Sequence, residues 1–210
     1  MHAFVEPLEG RKLLSAVSLA SGTLTITGNS TADRIEVQKR ADQGKLKVEI
    51  NGSEKKFSLS SVHKIVIKSN GGNDFIDFSG RDGGVKIPSF IDGGSGNDTI
   101  HGSEANDTIL GNTGNDLLEG KGGNDSISGG SGNDRLEGGA GNDTLKGDAG
   151  NDILFGGDNN DSLSGGDGDD DLHGDAGDDR LFGNAGNDDF FDVTSQLKDK
   201  GGADDGANHT

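Results

Sequence analysis

The sequence predicts an all-β fold, a solenoid of short parallel strands, and three observations lead to this prediction. The stretch from Gly93 to Phe191 divides into eleven nine-residue units with no insertion or deletion. Each unit is close to G-G-x-G-N-D-x-(Leu/Ile)-x, with one obligatory apolar position. The glycine density disfavours helix. A fixed repeat of this length is typical of solenoids, in which each unit buries its apolar face only against its neighbours.

Position eight of the repeat is apolar in every unit. Flanked by variable, mostly polar residues, it predicts a three-residue strand with one inward side chain, laddered about 4.8 Å from the next strand. The inward residues are Ile100, Ile109, Leu118, Ile127, Leu136, Leu145, Leu154, Leu163, Leu172, Leu181 and Phe190. Together they predict a thin, continuous apolar core.

Glycine occupies position one throughout and position four in nine units. At position four, glycine is expected because the backbone there enters positive φ, which glycine adopts freely and Asn159 tolerates. Ala105, the other departure at position four, is expected to be strained.

Position six is aspartate without exception, although Asn, Ser or Gly would serve a tight turn equally well. Eleven identical carboxylates therefore indicate a charge requirement beyond turn chemistry. The candidate metal ligands are Asp98, Asp107, Asp116, Asp125, Asp134, Asp143, Asp152, Asp161, Asp170, Asp179 and Asp188.

The charge distribution independently indicates a bound cation. Residues 93–191 carry 22 acidic and 4 basic residues, whereas residues 1–92 carry 11 acidic and 13 basic ones. A rod with this much local negative charge would repel itself strongly without counter-ions.

Units such as Gly129-Gly130-Ser131-Gly132-Asn133-Asp134-Arg135-Leu136-Glu137 resemble the nonapeptide of the repeats-in-toxin (RTX), or haemolysin-type calcium-binding, family. The resemblance implies a right-handed parallel β-roll in which two nonapeptides form one turn and Ca²⁺ lies between successive loops of one side. It places Asp98, Asp116, Asp134, Asp152, Asp170 and Asp188 on one side, and the other five aspartates opposite. Roughly nine Ca²⁺ sites, built from carboxylates and glycine-turn carbonyls, are then implied. Units with Ser103, Asn112, Lys121, Asp148, Asp175 or Asn184 at position two depart from the pattern, and weaker sites are expected there, above all at Lys121.

Without calcium, the same composition predicts disorder, because eleven inward side chains cannot offset the entropy cost of ordering so much glycine. Binding and folding are therefore expected to be one event. An EF-hand is excluded because Leu172 occupies the position where that motif requires glycine.

Outside the array, residues 23–92 predict a β-rich N-terminal cap. Alternating apolar residues run from Leu24 to Ile67, and Asn51-Gly52 predicts a hairpin turn. Residues 28–36 and 69–77 keep Asp33 and Asp74 at position six, so they are interpreted as decayed repeats.

Residues 1–22 are expected to be a lead-in or an export segment, with the apolar run Leu13–Ala20 following Arg11-Lys12. Residues 192–210 are a polar C-terminal tail that leaves the end of the solenoid poorly covered. A missing partner, self-association and a truncated chain are all compatible with this. No stretch approaches the length of a membrane span.

No catalytic motif, histidine cluster or cysteine occurs, so an enzyme is not predicted, and nucleic acid is not an expected partner. The position-seven residues form no uniform threonine array, which argues against ice binding. The predicted function is calcium binding by a secreted or cell-surface β-roll with a structural or adhesive role. The predicted partners are calcium and a cell-surface molecule or a second copy. The alternative is an accessory module that works with a separately encoded secreted hydrolase or toxin.

Overall fold

The computed structural model describes residues 16–40, 44–78 and 84–192, which form two sheets joined by tight turns. Sheet A contains, in spatial order, β1 (Ala16–Ala20), β2 (Thr23–Thr27), β6 (Lys64–Lys68), β8 (Ser89–Ser95), β10 (Thr108–Thr113), β12 (Ser126–Ser131), β14 (Thr144–Ala149), β16 (Ser162–Asp167) and β18 (Arg180–Ala185). Sheet B contains β5 (Ser53–Ser58), β4 (Lys45–Ile50), β3 (Arg34–Arg40), β7 (Phe75–Asp77), β9 (Thr99–His101), β11 (Leu117–Gly122), β13 (Arg135–Ala140), β15 (Ile153–Asp158), β17 (Asp171–Ala176) and β19 (Asp189–Asp192). Among the residues described, a single 3-10 turn, Leu59–Ser61, interrupts the strands.

From β8 onward, successive strands alternate between the two sheets, so that each pair of strands makes one turn of a solenoid. Every pairing from β6 to β19 is parallel, and equivalent residues of neighbouring turns lie side by side, as Ile109, Ile127 and Leu145 do. The predicted parallel β-solenoid, with two nonapeptides in each turn, is confirmed.

The core is a single apolar column enclosed by the two sheets. Within the array, every position-eight residue from Ile100 to Leu181 is at most 3 % exposed. Toward the N-terminus the core continues through Leu24, Ile26, Ile35, Val37, Leu46, Val48, Ile65, Ile67 and Ile76. Each turn of the array thus contributes two inward side chains and depends on its neighbours for burial.

Apart from β9, the strands of the array are longer than the three residues expected, so that expectation is wrong for them. Strands β10 to β18 each span six residues, from position seven to position three of the next unit. The reason is that backbone pairing resumes after position one, as in the pairs Gly130 with Asp148 and Ser131 with Ala149. The glycine-rich half of the repeat is therefore itself part of the sheets.

Position four needs glycine for two reasons. Gly132 has a φ of 125°, and a β-carbon built on it would lie 2.0 Å from the carbonyl oxygen of Gly114 in the preceding turn. Asn159 adopts a φ of 80° at the equivalent position. Ala105, which was expected to be strained there, does not adopt positive φ, because its loop follows a different path stabilised by Ser103.

The solenoid extends N-terminally beyond the regular repeats. In sheet A, β2 pairs in parallel with β6, and β6 pairs in parallel with β8. In sheet B, β3 pairs in parallel with β7, and β7 pairs in parallel with β9. Strand β1 pairs antiparallel with β2, and β3, β4 and β5 form an antiparallel meander. Its last turn is the predicted Asn51-Gly52 hairpin, confirmed with φ of 49° and 79°.

Parts of the chain's two ends lie outside the described residues. These are 1–15 of the expected lead-in segment and 193–210 of the expected C-terminal tail. Among the described residues, no helix has the length and apolar character needed to span a bilayer.

The core column yields a test of packing that is independent of metal ligation. Leu136→Ala should lower the free energy of unfolding by about 2 to 5 kcal/mol, because truncating a fully buried leucine leaves a cavity. The measurement is denaturant unfolding at saturating calcium. Glu137→Ala, at the neighbouring exposed position, is the matched control and should change stability by less than about 0.5 kcal/mol. Equal losses for the two variants would contradict the assignment of Leu136 to the core.

Candidate metal-binding loops

The eleven position-six aspartates lie in the turns between the two sheets, and every one of these side chains is at most 6 % exposed. The turns that lead from sheet A to sheet B carry the first aspartate column, Asp33, Asp74, Asp98, Asp116, Asp134, Asp152, Asp170 and Asp188. The turns that lead from sheet B to sheet A carry the second aspartate column, Asp107, Asp125, Asp143, Asp161 and Asp179. The structure therefore separates the predicted residues into two buried rows.

One oxygen of each carboxylate holds successive turns together. Asp116 Oδ1 accepts a hydrogen bond from the backbone N–H of Asp98, with an N···O distance of 2.7 Å, and Asp134 Oδ1 accepts one from Asp116 at 2.8 Å. The same contact repeats along both columns at 2.6 to 3.0 Å. These aspartates thus link the stacked loops directly.

Position five forms a second ladder that runs in the opposite direction. The side-chain oxygen of Asn97 accepts a hydrogen bond from the backbone N–H of Asn115 at 2.9 Å, and Asn115 does the same for Asn133. Equivalent bonds involve Asp169 and Asp178. The preference for Asn or Asp at position five is explained by this bond, since only a short side chain with an acceptor oxygen can make it.

In eight of the eleven position-six carboxylates, the second oxygen is buried and has no hydrogen-bond donor. Oδ2 is buried without a hydrogen-bond partner in Asp98, Asp116, Asp125, Asp134, Asp143, Asp152, Asp161 and Asp170. In a typical loop it lies over the glycine at position one, where a β-carbon on Gly129 would fall 2.2 Å from Oδ2 of Asp134. Glycine at position one therefore makes room for the carboxylate. A buried acceptor without a partner is costly and requires a proton or a cation.

Burial shifts the titration of these groups strongly. It raises the pKa of Asp98, Asp125, Asp134 and Asp161 to about 7, with the backbone N–H of the neighbouring turn acting against the shift and the other carboxylates of the column adding to it. The pKa of Asp170 is raised to about 6 for the same reason. Near neutral pH, the carboxylate form of these buried side chains is therefore poorly stabilised by the protein alone.

The loops fit a hard cation rather than a soft one. The available ligands are carboxylate and backbone carbonyl oxygens, which Ca²⁺ prefers, and the sequence contains no cysteine. Within residues 16–40, 44–78 and 84–192, no group of three or more His, Asp or Glu side chains converges on one point. Each site would therefore combine one or two carboxylates with carbonyl oxygens of the turns.

Two units depart from the repeat at position two, and in each of them the position-two residue contacts an aspartate. Lys121, at position two, adopts a φ of 77° and places Nζ 3.6 Å from Asp77 Oδ1. Asp107 differs from the other aspartates, because Ser103 donates its backbone N–H to Oδ2 at 2.7 Å and its hydroxyl to Oδ1 at 3.0 Å.

Asp33 and Asp74 were not among the ligands predicted from the sequence. Both belong to the first column, since the N–H of Asp33 bonds Asp74 Oδ1 at 2.6 Å and the N–H of Asp74 bonds Asp98 Oδ1 at 2.8 Å. Their place at position six of two decayed repeats is the sequence feature that points to them. Their register with the array is hard to recognise, because additional residues lie between these repeats and the regular units.

The comparisons with known proteins agree with this geometry. Residues 92–127, 128–163 and 164–191 match the family model described as RTX calcium-binding nonapeptide repeat (4 copies). A search of curated proteins found no significant match. Residues 92–191 therefore consist of RTX calcium-binding nonapeptide repeats, which indicate calcium binding by a β-roll.

Proposed function

We propose that this protein is a non-catalytic, secreted or cell-surface scaffold that folds when calcium binds, and that its position-six aspartates supply the carboxylate ligands. The observation that carries the proposal is the series of buried Oδ2 atoms without a donor, repeated along two columns. The proposed ligands are the eleven aspartates from Asp98 to Asp188 that occupy position six, with carbonyl oxygens of the same turns completing each site.

The chain's own residues prepare these sites. In each loop, Oδ1 is fixed by a backbone N–H of the neighbouring turn, as in the 2.7 Å bond between Asp134 N and Asp152 Oδ1. This bond sets the orientation of the carboxylate and leaves Oδ2 for the ion. Bound Ca²⁺ would neutralise the carboxylates of the column and replace the water that they lose on folding.

Charge makes folding conditional on the ion. Residues 93–191 contain 22 acidic and 4 basic residues, and the turns bring buried carboxylates of one column into stacked positions. Since burial of an unpaired carboxylate is unfavourable, the ion-free array is expected to unfold at neutral pH. Ligand binding that is confined to the folded state then drives folding by mass action.

The proposed extracellular location follows from the coupling between calcium binding and folding. Extracellular calcium modules bind in the range of about 10⁻⁴ to 10⁻³ M, so a chain of this kind would stay unfolded at cytosolic calcium and fold after export. RTX repeats in residues 92–191 support an extracellular setting.

A partner surface is proposed on the outer face of sheet B. Leu117, Ile153 and Phe191 are 37 %, 36 % and 43 % exposed there. On the same face, the ring of His173 stacks between the rings of Phe155 and Phe191, with ring centroids 4.4 Å apart in each pair. An apolar surface of this kind supports contact with a cell-surface molecule or a second copy.

The ligand assignment is tested by one isosteric substitution. Asp134→Asn should lower the number of bound calcium ions by at least one and reduce the cooperativity of binding, because the amide cannot supply an anionic oxygen. Isothermal titration calorimetry is the measurement. Glu137→Gln removes the same charge from an exposed position of the same unit and should leave the stoichiometry unchanged. An unchanged stoichiometry for Asp134→Asn would refute the assignment.

The raised pKa values predict opposite effects of pH with and without calcium. A carboxyl group whose folded pKa is about 7 favours the folded state below its unfolded pKa of about 4 and loses that contribution as the pH rises toward 7. In calcium-free buffer, the β-sheet signal in circular dichroism should therefore increase as the pH is lowered from 8 to 4. With calcium present, affinity should instead fall as the pH drops below about 7, because protons compete for the same oxygens. A calcium-free signal that is independent of pH would contradict the prediction.

A further inference from the structure

Both carboxylate oxygens of Asp107 accept hydrogen bonds from protein donors. Oδ2 accepts the backbone N–H of Ser103 at 2.7 Å. Oδ1 accepts the Ser103 hydroxyl at 3.0 Å and the backbone N–H of Ser89 at 2.7 Å. Ser103 itself is 1 % exposed, so these bonds are shielded from water.

The sequence of this unit explains the difference. In the regular loops position two adopts positive φ, whether it is Gly130 at 109° or Asn112 at 75°. Ser103 does not, and its N–H turns onto the carboxylate four residues later. The hydroxyl also receives the N–H of Ala105 at 3.2 Å, which holds the altered turn in place.

Asp33 shows the same arrangement at the start of the first column. The backbone N–H of Asn29 donates to Oδ2 at 2.7 Å, again across four residues. The side-chain amides of Asn29 and Asn51 donate to Oδ1 at 3.0 and 2.5 Å. Among the described residues, Asp33 and Asp107 are each the first aspartate of their column.

In Asp74, as in the regular array, one carboxylate oxygen has no donor. Asp74 nevertheless lies outside the segment 92–191 that matches the repeat family. It is 2 % exposed, its Oδ1 accepts the N–H of Asp33, and its Oδ2 is buried without a partner. In each of these respects it resembles Asp134 in the middle of the array.

We infer that Asp74 is a calcium ligand beyond the recognised repeats, and that Asp33 and Asp107 end the two calcium columns because protein N–H and O–H groups occupy the positions of the cation. Donors that point at both oxygens stabilise the carboxylate without a metal, and their partial positive charge opposes a cation at the same place. The inference rests on the proposed function and changes its ligand set, because it adds Asp74 and removes Asp107. The first column would bind calcium from Asp74 onward, and the second from Asp125 onward.

Counting bound ions in variants of the full chain tests this inference. The measurement is calorimetric stoichiometry with calcium alone, checked by native mass spectrometry. Asp74→Asn and Asp125→Asn should each lose at least one ion, whereas Asp107→Asn should lose none. Asp107 and Asp125 are neighbours in one column and undergo the same change of charge, so each is the control for the other. The double variant Ser103→Gly, Ala105→Gly restores the regular loop and should gain one ion.

The outcomes separate the inference about Asp74 and Asp107 from the proposed function. A loss for Asp107→Asn equal to that for Asp125→Asn, or no loss for Asp74→Asn, would overturn the inference while leaving calcium binding intact. If Asp107→Asn does not fold, the double variant decides, and an unchanged ion count there would overturn the inference. A wild-type chain that binds no calcium would instead overturn the proposed function.

Discussion

The structure depends on a buried carboxylate that recurs from turn to turn and that, in eight of the eleven repeats, has only one of its oxygens bonded to the protein. In Asp134 and its equivalents, Oδ1 accepts an N–H from the neighbouring turn and Oδ2 has no donor. Stacking the loops brings these groups out of water and into two columns. The same contact that sets the register of the solenoid therefore creates a requirement for positive charge, which is the basis for the proposed coupling of folding to calcium binding.

The other positions of the repeat support this arrangement. Glycine at position one leaves room for Oδ2, and glycine at position four permits a close approach of successive turns, as at Gly132. The amide or carboxyl oxygen at position five ties the loops in the opposite direction. Position eight fills the core with one side chain per unit. The nonapeptide thus distributes packing, turn geometry and charge among separate residues.

Much of this was predictable because the repeat has a constant period. The parallel solenoid and the inward residues from Ile100 to Leu181 follow from positional regularity, and the two aspartate columns follow from the family resemblance. The burial of the aspartates was not predicted. The six-residue strands were not predicted, because the pairing of glycine positions depends on the neighbouring turn rather than on local propensity. The satisfied state of Asp107 depends on the path of the backbone at Ser103, and the place of Asp74 depends on a register that insertions obscure.

The most direct test of the central claim is a crystal structure grown with calcium, with the ions located by anomalous scattering. The account predicts peaks along both columns, each about 2.3 to 2.6 Å from Oδ2 of a position-six aspartate such as Asp134. Clear density for the loops with no peak beside these oxygens, or with ions bound only at exposed carboxylates, would contradict it.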